Sequence, residues 1–79
     1  MSENANRVKR VVAETLRVEK ERVTDNARFV EDLGAESIQS IELVAAFEEE
    51  FDIDMDEELA LQVKSVGDAV RFIERHLSA

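Results

Sequence analysis

Serine hydroxyls are the main candidates for chemistry in this chain of 79 residues, which contains no cysteine and a single histidine. Without cysteine, disulfides, zinc–thiolate sites and thiol nucleophiles are excluded. A serine hydrolase needs a base and a group that orients the base. His76, close to the end of the sequence, supplies no such pair. We therefore expect that the protein is not an enzyme.

A run of alternating aspartates imitates the beginning of a calcium-binding EF-hand loop. It comprises Asp52, Asp54 and Asp56. Such a loop needs glycine at its sixth position and glutamate at its twelfth. Those positions hold Glu57 and Val63. We therefore expect no dedicated metal site.

Ser37 stands at the start of a predicted helix that begins at Glu36 or Ser37 and runs to Phe51. Free backbone N–H groups and the positive end of the helix dipole favour an anion at such a position. The hydroxyl could simply cap the helix, which is the common role of serine there. It could equally carry a phosphate ester. The residues alone leave both interpretations open.

This helix has two apolar stripes when its residues are placed roughly 100° apart around the axis. The first stripe consists of Leu43, Val44, Phe47 and Phe51, and the second of Ile38, Ile41 and Ala45. Glu48 projects between the stripes, while Glu42 and Glu49 flank the second. Burying both stripes would bury Glu48 as well, at a cost of several kcal/mol. We therefore predict that the second stripe is an exposed docking surface rimmed by carboxylates, the alternative being one broad buried stripe with Glu48 at its edge.

The acidic residues are concentrated in the middle of the chain. Residues 29–58 contain twelve acidic and no basic residues, and the whole chain has a net charge of -9. Such a segment repels nucleic acids and anionic membranes and attracts proteins with basic patches. Crowding of carboxylates also predicts raised pKa values among them. Solubility alone is the simpler explanation of such a charge run.

The elements that position these residues are predicted to be helices, so the fold class is all-α: three main helices and one short one in a single domain covering residues 1–79. The first helix is expected to be capped by Asn4 or Asn6 and to end near Val18. A long ordered loop should follow between helices 1 and 2, held to the core by buried Val23, Phe29 and Leu33.

The second half of the chain contains two further predicted helices. A short one is expected around residues 57–62. Ser65 and Asp68 form a capping box before the last helix, whose predicted apolar stripe is Val66, Ala69, Val70, Ile73 and Leu77. No apolar run approaches the roughly 20 residues of a membrane span, so we expect a cytoplasmic protein. We also expect it to be a monomer.

The stretch FVEDLGAESIQSIELVAAFEEEFDIDMDEE closely resembles the acyl carrier protein family. The usual family pattern is F-x-x-D-L-G-x-D-S-L-x-x-x-E-L followed by an acidic helix ending in E-E-E-F. The similarity continues through VKSVGDAVRFI and covers nearly the whole chain.

This resemblance implies specific roles at matching positions. Ser37 matches the serine that receives 4'-phosphopantetheine from coenzyme A through a phosphopantetheinyl transferase, and Glu36 matches an aspartate that helps hold the transferase's magnesium. Partner-binding positions correspond to Ile38, Ile41, Glu42, Ala45, Glu48 and Glu49, which would meet acyl-transfer and chain-elongation enzymes through their basic patches. The acyl chain would lie against Leu43, Phe47, Val63 and Ala69.

Five positions depart from the family pattern, one of them being Ile38 in place of the usual leucine. Glu36 reaches one methylene further than the usual aspartate, and Gln39 replaces a frequent aspartate. Asp56 stands where proline often precedes the short helix, which predicts a looser loop, and Ala45 replaces a bulkier side chain. The sequence leaves the acyl cargo open, among fatty, polyketide and aminoacyl groups. It also leaves open an unmodified acidic interaction module of the same fold.

Overall fold

The computed structural model describes residues 3–78, and these residues form four α-helices. The helices are α1 (Glu3–Leu16), α2 (Ser37–Phe51), α3 (Glu57–Ala60) and α4 (Val66–Ser78), with a short 3-10 turn at Lys20–Arg22. Within residues 3–78 the structure contains no β-strand, and a single isolated bridge pairs Arg28 with Ser65. The all-α prediction with three main helices and one short helix is confirmed.

The core lies where α1, α2 and α4 meet. Its best-buried side chains are Val8, Val12, Val66 and Ile73. Because apolar residues recur every three or four positions along each main helix, each presents one apolar face to this core. On α4 the buried face includes Phe72, whereas Leu77 is exposed, so the predicted stripe was wrong at its last position.

The ends of α1 differ from the prediction. The helix already includes Glu3, so Asn4 and Asn6 lie inside it and the predicted asparagine caps are wrong. At its other end Arg17 adopts a left-handed conformation with φ of 58°. The Val18 N–H then donates to the Ala13 carbonyl over 3.1 Å, which ends the helix two residues earlier than expected.

The long loop between α1 and α2 is ordered because it is bonded to the start of α4. The Phe29 N–H donates to the Lys64 carbonyl (3.0 Å), and the Gly67 N–H donates to the Asp25 carbonyl (2.8 Å). A Cβ atom on Gly67 would lie 3.0 Å from that Asp25 oxygen, so glycine permits this close approach. The predicted anchors Val23, Phe29 and Leu33 are all buried, as expected.

Gly34 ends this loop with φ of 71°, in the left-handed region that glycine adopts readily. The reversed chain lets the Ala35 N–H donate to the Phe29 carbonyl over 2.8 Å. The following residue, Glu36, is thereby placed at the entrance to α2.

Candidate functional site

The N-terminal end of α2 presents Ser37 to solvent as the first residue of the helix. Glu36 precedes it as the N-cap with extended backbone (φ −89°, ψ 167°), and its N–H donates to Gln39 Oε1 over 2.9 Å. The predicted start of α2 is confirmed, but the cap is Glu36, so the interpretation of Ser37 as a capping residue was wrong. The hydroxyl is therefore not required to hold the helix together.

This end of α2 suits a phosphodiester on the Ser37 oxygen. The first N–H groups of a helix have no intrahelical acceptor, and the positive end of the dipole faces an anion there. Ser37 is exposed, so an attached chain has a free route away from the protein. The residues present therefore fit a covalent phosphate-linked group.

The second stripe of α2 lies on the surface, as predicted. Ile38 is 64% exposed and Ile41 is 49% exposed. Ala45 and the acidic residues Glu42 and Glu49 are also exposed. On the opposite face Leu43, Val44, Phe47 and Phe51 are buried, so the alternative of one broad buried stripe is wrong.

Glu48 differs from Glu42 and Glu49 because its side chain is half-buried and engaged. Its Oε2 accepts a hydrogen bond from the backbone N–H of Met55 over 2.9 Å. Met55 lies in the connection between α2 and α3 and is 9% exposed. Glu48 therefore holds this connection, in a position where the sequence predicted a partner contact.

Glu50 is the anchor between the C-terminal end of α2 and α1. Its Oε2 accepts from Arg7 Nε (2.9 Å) and from Arg10 (2.7 Å), while Arg7 also donates to the Glu50 carbonyl over 2.7 Å. The guanidinium of Arg7 lies 4.4 Å from the ring centroid of Phe51. These bonds, to Arg7 first and Arg10 second, hold the pKa of Glu50 below its ordinary value.

Arginines also overturn the expectation of raised pKa values at Asp32. Arg28 donates to its carboxylate over 3.1 Å, and this hydrogen bond lowers the pKa of Asp32. For Asp32 and Glu50 the predicted direction of the pKa shift was therefore wrong. The reason is that Arg7, Arg10 and Arg28 lie outside the acidic segment in sequence but fold against it.

A small apolar cavity of about 60 Å³ opens between α2, α3 and α4. The four residues predicted as acyl-chain lining, Leu43, Phe47, Val63 and Ala69, all line it. Further wall residues that sequence reasoning missed include Met55, Ala60, Phe72 and Ile73. Phe72 could have been found from its spacing of three residues from Ala69, whereas Met55 lies outside any periodic segment.

The cavity lies close to Ser37 along the same helix. Ser40, which also lines the cavity, is three residues further on, or about 5 Å along the helix axis. Its hydroxyl also donates to the Glu36 carbonyl over 3.4 Å. A chain attached to Ser37 therefore begins one helical turn from an apolar compartment.

Two of the three alternating aspartates, Asp52 and Asp56, stand at helix ends. Asp56 caps α3, accepting a hydrogen bond from the Leu59 N–H over 3.2 Å, and the looser loop expected at this position stays a prediction. Among residues 3–78 no three potential ligands from His, Cys, Asp and Glu come together as a metal site. Over the same residues no helix has the length and apolarity needed to cross a membrane.

Comparison with known proteins shows which proteins this chain is similar to. A family model described as the phosphopantetheine attachment site matches residues 6–73. Over 79 residues, the full length of both chains, the protein is 48% identical to the acyl carrier protein of Phenylobacterium zucineum (strain HLK1).

The match over residues 6–73 and the full-length similarity define the class of protein, a carrier with a covalently attached group. The chain belongs to the acyl carrier protein family, whose members carry the phosphopantetheine attachment site. Its cofactor is a covalently attached 4'-phosphopantetheine, and its function is to carry acyl groups.

Proposed function

We propose that Ser37 is the attachment point of the 4'-phosphopantetheine arm. The observation that carries this proposal is an exposed serine at the first position of α2, where the N-cap role belongs to Glu36. When bound, the arm supplies a terminal thiol that holds the acyl group as a thioester.

Attachment is a phosphoryl transfer from coenzyme A. The Ser37 oxygen forms a bond to phosphorus, the pyrophosphate bond of coenzyme A breaks, and adenosine 3',5'-bisphosphate leaves with the bonding electrons. The serine proton passes to a base on the transferase. Glu36 is exposed directly beside Ser37, which supports the proposal that it helps to hold the transferase's magnesium.

The exposed stripe of Ile38, Ile41 and Ala45 is proposed to dock partner enzymes. Exposed apolar side chains surrounded by charge match the core-and-rim anatomy of protein interfaces. Glu42 and Glu49 on its rim suit acyl-transfer and chain-elongation enzymes with basic patches, because complementary charge speeds encounter. The protein presents its cargo to these enzymes and does not itself catalyse the reactions.

The cavity is proposed to shelter the first part of the acyl chain. Leu43, Phe47 and Ala69 give it apolar walls, which favour an aliphatic cargo from fatty-acid or related biosynthesis. Its volume of about 60 Å³ is far below the roughly 300–1,000 Å³ of pockets that enclose drug-sized ligands. A longer chain therefore requires the walls to move apart. The cytoplasmic location and the monomeric state stay predictions.

The test of this function is the intact mass of the protein after incubation with coenzyme A, magnesium and a phosphopantetheinyl transferase. We expect one added phosphopantetheine on the wild-type chain and none on Ser37→Ala. Ser40→Ala is the matched control, because it removes a nearby hydroxyl of the same helix and should load normally. No gain with several transferases would instead favour an unmodified interaction module.

A further inference from the structure

Glu48 occupies a position on α2 that its exposed neighbours Glu42 and Glu49 do not share. Glu42 and Glu49 are exposed, whereas Glu48 is half-buried at the edge of the core-facing side. Its carboxylate reaches seven residues along the chain to the backbone N–H of Met55, at 2.9 Å. A carboxylate already engaged in this way is poorly placed to meet a basic residue of a partner.

Glu48 also organises the C-terminal end of its own helix. Asp52 turns the chain into the left-handed region, with φ of 54° and ψ of 51°. The Ile53 N–H then donates to the Glu48 carbonyl over 3.1 Å. Glu48 thus binds the connection between α2 and α3 through both its main chain and its side chain.

The residue held by this side chain is part of the cavity wall. Met55 is 9% exposed and lines the cavity together with Phe47 and Ala60. A buried N–H that loses its acceptor is strongly disfavoured, so removal of the Glu48 carboxylate should displace the backbone at Met55 toward solvent. The methionine side chain would leave the wall with it.

We propose that Glu48 is a positioning residue that fixes Met55 as a wall of the acyl cavity and thereby controls how well the tethered chain is sheltered. This inference rests on the proposed function of the cavity. The positioning role depends on where the Glu48 oxygen atom lies and not on the charge of the carboxylate. Glu42 and Glu49 keep the docking role.

Two conservative variants separate geometry from charge. Glu48→Gln keeps the side-chain length and an oxygen acceptor but removes the charge. Glu48→Asp keeps the charge but draws the carboxylate back by one methylene, out of reach of the Met55 N–H. Glu49→Gln and Glu49→Asp are the matched controls on the exposed neighbour.

The first readout is hydrogen exchange of the Met55 amide, measured on the unmodified protein. We expect exchange to rise at least tenfold in Glu48→Asp and to stay within twofold of wild type in Glu48→Gln and both Glu49 variants. Melting of each variant, followed by circular dichroism, identifies any global loss of fold. Unchanged Met55 exchange in a folded Glu48→Asp variant would overturn the proposal.

The second readout is cleavage of an octanoyl thioester on the loaded protein by hydroxylamine. Glu48→Asp should be cleaved several-fold faster than wild type, and Glu48→Gln at nearly the wild-type rate. Equal cleavage rates in all variants would contradict the proposal. Faster cleavage in Glu48→Gln alone would contradict it as well. If the wild-type thioester is cleaved as fast as free octanoyl pantetheine, the cavity function itself fails, which is a distinguishable result.

Discussion

The two ends of α2 are held in opposite ways. At the N-terminal end the hydrogen bond from the Glu36 N–H reaches only to Gln39, three residues away, and Ser37 is exposed. At the C-terminal end Glu50 is bonded to Arg7 and Arg10, which lie 43 and 40 residues away in sequence. The helix is anchored at one end and open at the other.

This difference explains how a small protein can both keep its shape and offer a reactive group. The tertiary bonds that fix α2 lie far from Ser37, so a modifying enzyme can approach the hydroxyl without disturbing them. The exposed stripe begins at Ile38, immediately beside the open end. A partner that docks on this stripe is therefore brought next to the tethered cargo.

The largest loss of stability should come from a substitution at the anchored end of α2. Phe51 is 6% exposed and lies under the Arg7 guanidinium. Phe51→Ala should lower the free energy of unfolding by about 3–5 kcal/mol, measured by urea denaturation. Ile38→Ala at the open end should change it by less than about 0.5 kcal/mol. Similar losses in the two variants would refute the comparison.

A second test replaces an apolar residue of the exposed stripe. Ile41→Asp should leave the melting temperature nearly unchanged. It should weaken the binding of a partner enzyme by about 2 kcal/mol, the scale of an interface hot spot. Partner turnover at limiting carrier concentration measures this loss. Val44→Asp is the matched control, since Val44 is buried and its replacement should unfold the protein. Unfolding of Ile41→Asp would show that the stripe belongs to the core.

The smallest expected change in stability concerns the ion pairs of Glu50 with Arg7 and Arg10, and this change depends on pH. The bonds to Arg7 and Arg10 lower the pKa of Glu50 from its ordinary value of 4.5. A group whose folded pKa is lowered stabilises the fold above its ordinary value, and this contribution is lost as pH falls through the lowered one.

Glu50→Gln should therefore melt slightly below wild type at pH 7, and the gap should close as the pH is lowered below 4.5. Melting curves at several pH values measure this gap. Glu49→Gln is the control on an exposed position. A gap that stays constant down to acidic pH would exclude an ionic role of Glu50.

The open end of α2 could be predicted from the sequence more fully than the anchored end. Apolar periodicity separated Ile38 and Ile41 from Leu43 and Phe47, because helix geometry alone assigns residues to faces. The spacing of Glu36 and Gln39 also fits the capping-box pattern in part, so the cap could have been found by the same reasoning.

The anchored end depends on contacts that no local pattern encodes. The bond from Met55 to Glu48 exists only once Asp52 has turned the chain. The arginines that lower the pKa of Glu50 come from α1 and lie outside the acidic segment. The charge counted along the sequence therefore predicted the wrong direction for the pKa shift of Glu50.

The central claim is that the Ser37 hydroxyl carries the arm, and tandem mass spectrometry of peptides from the loaded protein tests it most directly. The account predicts that phosphopantetheine is found on Ser37, with Ser40 in the same peptide unmodified. An arm located on Ser40 or on any other residue, or loading that persists in Ser37→Ala, would contradict it.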